Sequence, residues 1–197
     1  MITSKNEYIY YLEADRLALN IKNNRPSLIG DEIWKFERLL RKTEYYLNCK
    51  NCFPWNLYVL YLRVKFHYYS IFLGYTIGLN TFGPGLSIAH IGTIVINPLV
   101  RIGDNCRIHT CVNIGTKAGA SDSVPKIGNN VYIGPGVKIF GNISIADDIA
   151  IGANSVVNKS FIEPGISIGG VPAKKISEKG TSGLLIKATE VIKKENI

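Results

Sequence analysis

Residues 125–157, PKIGNNVYIGPGVKIFGNISIADDIAIGANSVV, carry an aliphatic side chain at every sixth position: Ile127, Ile133, Ile139, Ile145, Ile151 and Val157. Neither the 3.6-residue period of a helix nor the alternation of a strand produces a period of six. Four residues after these come small or branched side chains (Val131, Val137, Ile143, Ile149, Ser155) and the bulkier Phe161, while Gly128, Gly134 and Gly152 directly follow the repeat residue. Upstream the same rule holds at Ile96, Ile102, Ile108 and Ile114, with Val100, Cys106 and Val112 behind them. Six residues make a short strand and a turn, so three hexads close a triangular coil of about 18 residues, and coils stack ~4.8 Å apart. Inward aliphatics then form ladders along the axis, while Gly, Asn and Asp turn the corners. The expected class is mainly β, a parallel β-helix of hexapeptide repeats over residues 76–176.

Two irregularities stand out against that period. His90 lies six residues before Ile96 and so falls in an inward position, where an imidazole interrupts the ladder at a cost that calls for a functional reason. His109 follows 19 residues later, about one coil along the axis and one position round. Between Ile114 and Ile127 the spacing is 13 residues, which leaves Lys117–Val124 (KAGASDSV) as an extruded loop.

Ahead of the repeats, residues 1–75 read as helical. Apolar residues recur at three-to-four spacing over Tyr8–Asn20 and Asp31–Leu47, and Asn24, Arg25, Pro26 and Ser27 separate the two. Leu57–Leu73 (LYVLYLRVKFHYYSIFL) approaches membrane-spanning length, but Arg63, Lys65 and His67 at its centre argue against a span. It reads as a connector packed between two parts of the protein, with a helix lying on a membrane surface as the alternative. Residues 177–197 form a tail that is helical in part.

With 46% hydrophobic and 19% charged residues in 197, the chain can bury a real core, and disorder is excluded as its dominant state. A net charge of +8 suits an anionic partner: a phosphate-bearing cofactor, a polyanion or a membrane surface. The first residues, MITSKNE, lack the apolar run of a secretory signal, so a cytoplasmic protein is expected. Cys49 and Cys52 form a lone C-x-x-C with no second pair at ligand spacing, and two histidines without a carboxylate or cysteine cluster make a poor metal site; no metal is expected.

The segments GPGLSIAHIGTIV (83–95), VNIGT (112–116), PKIGNNVYIGPGVKIFGN (125–142), IGANSVV (151–157) and GGVPAK (169–174) resemble the hexapeptide-repeat acyltransferases with a left-handed parallel β-helix, and within them the serine acetyltransferase-like group. That resemblance implies an N-terminal helical cap on the prism and acetyl-CoA as co-substrate. It also implies a homotrimer with active sites between neighbouring prisms, paired on occasion into a dimer of trimers through the caps. His90 matches the general base of that group. His109 matches no catalytic histidine there but stands close enough to serve the same cleft. The coenzyme groove implied by the resemblance takes Gly115, Gly134, Pro135, Gly152, Ala153, Gly169, Gly170 and Pro172, with Lys174 and Lys175 at the phosphates. Asn80, Asn97 and Asn113 are the candidates for the acceptor side, and Asn80 or a backbone carbonyl for orienting His90. Nucleic acid is not among the expected partners, and peripheral membrane contact through the aromatic run is retained.

The pattern departs from that group in one respect. Where serine acetyltransferases place an aspartate before the base and an Arg-His pair before Pro-Lys-Ile, this chain has Ala89, Ser123 and Val124. A zwitterionic acceptor then lacks its counter-charges, so the expected reaction is O-acetylation of a neutral acceptor, a sugar of a surface polysaccharide or its precursor. Serine O-acetylation is the alternative, and an inactive trimeric scaffold the second alternative.

Overall fold

The computed structural model describes residues 1–50 and 52–195. Three helices come first: α1 (Lys5–Ala18), α2 (Glu32–Cys49) and α3 (Trp55–Leu73). Ser4 caps α1, its hydroxyl accepting the Glu7 N–H at 3.1 Å, and so starts that helix three residues before the apolar pattern does. Gly74, at φ 78°, ends α3 and turns the chain directly into the first strand.

From Tyr75 onward the chain winds into a triangular prism. Face one stacks Tyr75–Thr76, Ile94–Ile96, Val112–Gly115, Lys138–Phe140 and Val156–Val157. Face two stacks Arg101–Ile102, Lys126–Ile127 and Ser144–Ile145. Face three stacks Ser87–Ile88, Arg107–Ile108, Tyr132–Ile133, Ala150–Ile151 and Ser167–Gly169. All of these pairings are parallel, and Lys174–Ser177 closes face three antiparallel. The ladders run Ile96, Ile114, Ile139, Val157 on face one, Ile102, Ile127, Ile145 on face two and Ile88, Ile108, Ile133, Ile151, Ile168 on face three, every member buried. At one corner Asn105, Asn130 and Asp148 each take a left-handed backbone, and their side chains bond to one another in a column at 2.8 and 3.2 Å. After the prism, α4 (Ala188–Glu195) returns to α1, where Ala188 packs with Ala14 and Ala18.

Three expectations need correction. By residue count the chain is 30% helix and 19% strand, not mainly β, because each coil side contributes only two to four strand residues and the corners are turns. The aromatic run is not packed between two parts: α3 sets Leu62, Phe66, Tyr69 and Leu73 inward, while Leu57, Leu60 and Phe72 are 65%, 60% and 71% exposed. His90 is not an inward residue, since Ile88 fills that rung. Ile88 and Ile94 pair with Ile108 and Val112, so the corner between faces three and one spans residues 89–93 in this coil and only 109–111 in the next. Two extra residues displaced the simple count by two and put His90 on the surface.

The cap and the prism share one core, in which Phe36 and Leu40 of α2 join the prism's ladders. Their seam is ionic as well. Arg41, fully buried, donates to Asp15 at 2.7 Å, to Glu44 at 3.0 Å and to the carbonyls of Phe82 and Gly83 at 3.0 and 2.6 Å. Asp15 in turn accepts the N–H groups of Gly85 and Leu86 at 2.9 and 2.8 Å, and Glu44 that of Asn80 at 2.7 Å. Burial works against the charge of Arg41, but Asp15 and Glu44 outweigh it and hold the guanidinium protonated.

Candidate active site

The edge where face three turns into face one carries most of the residues singled out by the sequence. Backbone bonds stack them in order along the axis: Ala89 N–H to Ile108, His109 N–H to Ile133, Gly134 N–H to Ile151 and Gly152 N–H to Ile168, each at 2.8–3.1 Å. Above Gly152 follow Gly169 and Gly170 and then, at the top, Lys174. Gly134 is required by this stacking, since a β-carbon there would lie 2.8 Å from the Ile151 carbonyl oxygen. The edge is therefore bare of side chains over three coils, and Pro135 and Ala153 flank it, both exposed.

At its foot the widened corner presents His90, exposed, with its ring centroid 5.9 Å from that of His109. His109 is half-buried, and Tyr132 packs edge-on at 5.1 Å from its other side. The His109 Nε2 is buried without a hydrogen-bond partner among the described residues. Burial, with the nearby Arg107 and His90, pushes the His109 pKa below the usual imidazole range, so this ring is neutral at pH 7. A neutral imidazole with a free nitrogen beside an exposed one provides a proton acceptor and a second polar group within one coil of each other.

The cap holds the strand that leads into the His90 corner, and face one holds the His90 backbone. Glu37 of α2 accepts the Ile88 N–H at 3.0 Å, and the Tyr75 hydroxyl donates to the His90 carbonyl at 3.1 Å. Burial, and then the charge of Asp15, push the Glu37 carboxyl well above the usual carboxylate range, and its Oε2 has no partner among the described residues. Sequence reasoning missed Glu37 because 51 residues separate it from its partner. Tyr132 was legible in principle: it is the aromatic side chain at an outward strand position where neighbouring strands carry Arg107, Lys126 and Lys138.

Other expected site residues lie elsewhere. Asn80 sits in the seam with the cap, its amide bonded reciprocally to Asn48 at 2.8 and 3.2 Å, on a different edge from His90, because its side chain and backbone are committed to α2. Gly115 follows face one rather than face three and is outside the glycine row. Asn113 is exposed on face one, and the Asn97 side chain accepts the Leu99 N–H at 2.9 Å within its own turn. Lys175 is taken up by Glu163 and Glu178 at 2.6 and 2.7 Å, since the antiparallel strand turns it toward both, whereas Lys174 is exposed with no carboxylate partner among the described residues. The 117–124 loop leaves from the edge between faces one and two, not from the edge that bears the histidines.

No protein-family model matches the chain. It is similar to serine acetyltransferases of Synechococcus elongatus, 34% identical over 99 residues, of Helicobacter pylori, 38% over 97 residues, and of Staphylococcus xylosus, 40% over 100 residues. These matches take in 49–50% of this chain and 40%, 56% and 45% of the respective relatives, so the chain spans about half the length of the curated relatives it matches. Among solved structures, serine acetyltransferase from Brucella abortus in complex with coenzyme A superposes with a TM-score of 0.69 at 27% identity, covering 89% of this chain and 70% of that one. The Neisseria gonorrhoeae enzyme in complex with serine gives 0.67 at 27%, over 88% and 71%. The fold of these solved structures, a left-handed β-helix preceded by helices, is the fold of this chain.

Proposed function

We propose that the chain is an acetyl-CoA-dependent O-acetyltransferase, with L-serine the acceptor that the names of its relatives favour over the polysaccharide sugar expected from sequence. The observation that carries the reading is the edge with two adjoining imidazoles at its foot and a glycine row leading to Lys174. From His109 to Gly169 the row rises three coils, roughly 15 Å at the spacing of paired strands, a length that suits an extended pantetheine arm. Its backbone groups can pair with the arm's amides, and Lys174, exposed at the top of the row, suits the phosphates.

The reaction is direct transfer. Holding thioester and hydroxyl side by side supplies the largest share, up to about 7–11 kcal/mol of the barrier. His90 takes the hydroxyl proton as the oxygen attacks the thioester carbon, neutral His109 donates an N–H to the developing oxyanion, and the departing thiolate recovers the proton from His90. Because the 117–124 loop and the histidines occupy different edges of one prism, a loop that covers this site comes from a second copy, which supports a homotrimer with sites between subunits. A cytoplasmic location fits the use of acetyl-CoA.

One observation favours a second reading, a neutral hydroxyl acceptor. Arg107 is the charged side chain that acts on His109, and Ala89 stands beside His90 where the serine acetyltransferase-like pattern has an aspartate, so no counter-charge for an ammonium group stands there. Release of the coenzyme thiol is to be followed with L-serine and with a panel of sugars and nucleotide sugars. Turnover with serine that falls about 10² or more in His90→Ala, with coenzyme binding retained, supports the first reading. Turnover with a sugar alone supports the second, and none with any acceptor leaves a scaffold.

A further inference from the structure

Helix α3 is apolar on two opposite sides, and only one of them is covered. Leu62, Phe66, Tyr69 and Leu73 face the core, whereas Leu60, Tyr61, Val64, Tyr68, Ile71 and Phe72 are 48–71% exposed. These six fall at i, i+1, i+4, i+8, i+11 and i+12, one continuous stripe about 18 Å long. A stripe of that size on the surface marks a contact made with something else.

Charge identifies the occupant. No Asp or Glu occurs between Tyr45 and Gly103, so the charges that α3 itself sets beside the stripe are cations, Arg63 and Lys65, together with His67, while Glu32 of α2 is engaged by the Tyr69 hydroxyl on the covered side. Both cations are exposed, and neither has a carboxylate partner among the described residues. A second α3 packed on this stripe would bring Arg63 and Lys65 against their like, with no acid on either helix to answer them. On the flank of Arg63 and His67, a cavity of about 390 Å³ opens between α3 and the first coil, lined also by Ser70, whose buried hydroxyl has no partner among the described residues. An orphan hydroxyl beside an arginine and a histidine suits a phosphate oxygen. No described helix is long and apolar enough to cross a membrane.

We propose that α3 docks this protein on an anionic phospholipid surface, its apolar stripe in the interface, Arg63 and Lys65 at the level of the phosphates, and a headgroup phosphate in the cavity at Ser70. The combination of apolar area and basic flanks is what interfacial helices use. It does not depend on which acceptor the prism acetylates.

The test is flotation of the full chain with vesicles of equal parts phosphatidylglycerol and phosphatidylcholine, against phosphatidylcholine alone. Flotation with the anionic vesicles that high salt reverses supports docking. Loss of binding in Leu60→Asp/Ile71→Asp, and a decrease of roughly twentyfold in Arg63→Ser/Lys65→Ser, complete the case. The second pair carries the test should the first fail to fold. Failure to float, or equal flotation on neutral vesicles, overturns the proposal. So does a change in particle mass of Leu60→Asp/Ile71→Asp in sedimentation, since it assigns the stripe to contacts between copies.

Discussion

The prism and its seam with the helices hold together by opposite means. Inside the prism each rung repeats the one below, Ile108 on Ile88 and Ile133 on Ile108, and no buried charge is involved. The seam is built once, around a guanidinium that unites two carboxylates and two backbone carbonyls from three parts of the chain. A ladder tolerates a gap because its neighbours remain stacked. A buried ionic node does not, because removing one member leaves the others charged and dry.

The sharpest way to break this contrast is Arg41→Met, which leaves Asp15 and Glu44 buried without their cation; a loss of about 3–5 kcal/mol in denaturant unfolding is expected. Ile133→Ala, in the middle of the longest ladder, is expected to cost about 3 kcal/mol, the usual price of a cavity of that size. A cost for Ile133→Ala exceeding that for Arg41→Met refutes the ranking. Glu37→Gln tests the seam more finely and has the smallest effect. Burial holds a proton on Glu37 in the folded chain, while the unfolded chain releases it near pH 4.3. The folded state then binds more protons, so wild-type stability relative to Glu37→Gln falls as pH climbs above about 4.3, until the raised pKa is passed. A flat difference between pH 4 and pH 8 contradicts that assignment.

The same contrast decides what the sequence reveals. A period of six is local and repeats, so the prism, its ladders and its extruded loop are legible without coordinates. Asp15 meets Arg41 across 26 residues, and Glu37 meets Ile88 across 51, pairings that no local spacing records. The site falls between these cases. Gly134 and Gly152 follow from the repeat and share one edge with the histidines, Gly170 joins that edge through the resemblance of GGVPAK, and Gly115 obeys the repeat on another edge. A count that assumes corners of uniform length puts His90 inward, whereas one corner is longer by two residues. The partial burial of α3 was hidden for a different reason: a helix apolar all round does not declare which side the fold covers.

That longer corner separates chemistry from architecture. Ile88 and Ile94 both keep their rungs, and residues 89–93 join the column by backbone bonds at their two ends, where the Ala89 N–H donates to Ile108 and the Thr93 carbonyl accepts from Cys111. Between those ends the side chains of His90 and Ile91 are exposed and take no part in the ladder. The winding thus leaves a place where exposed side chains can change with no redesign of the scaffold that carries them.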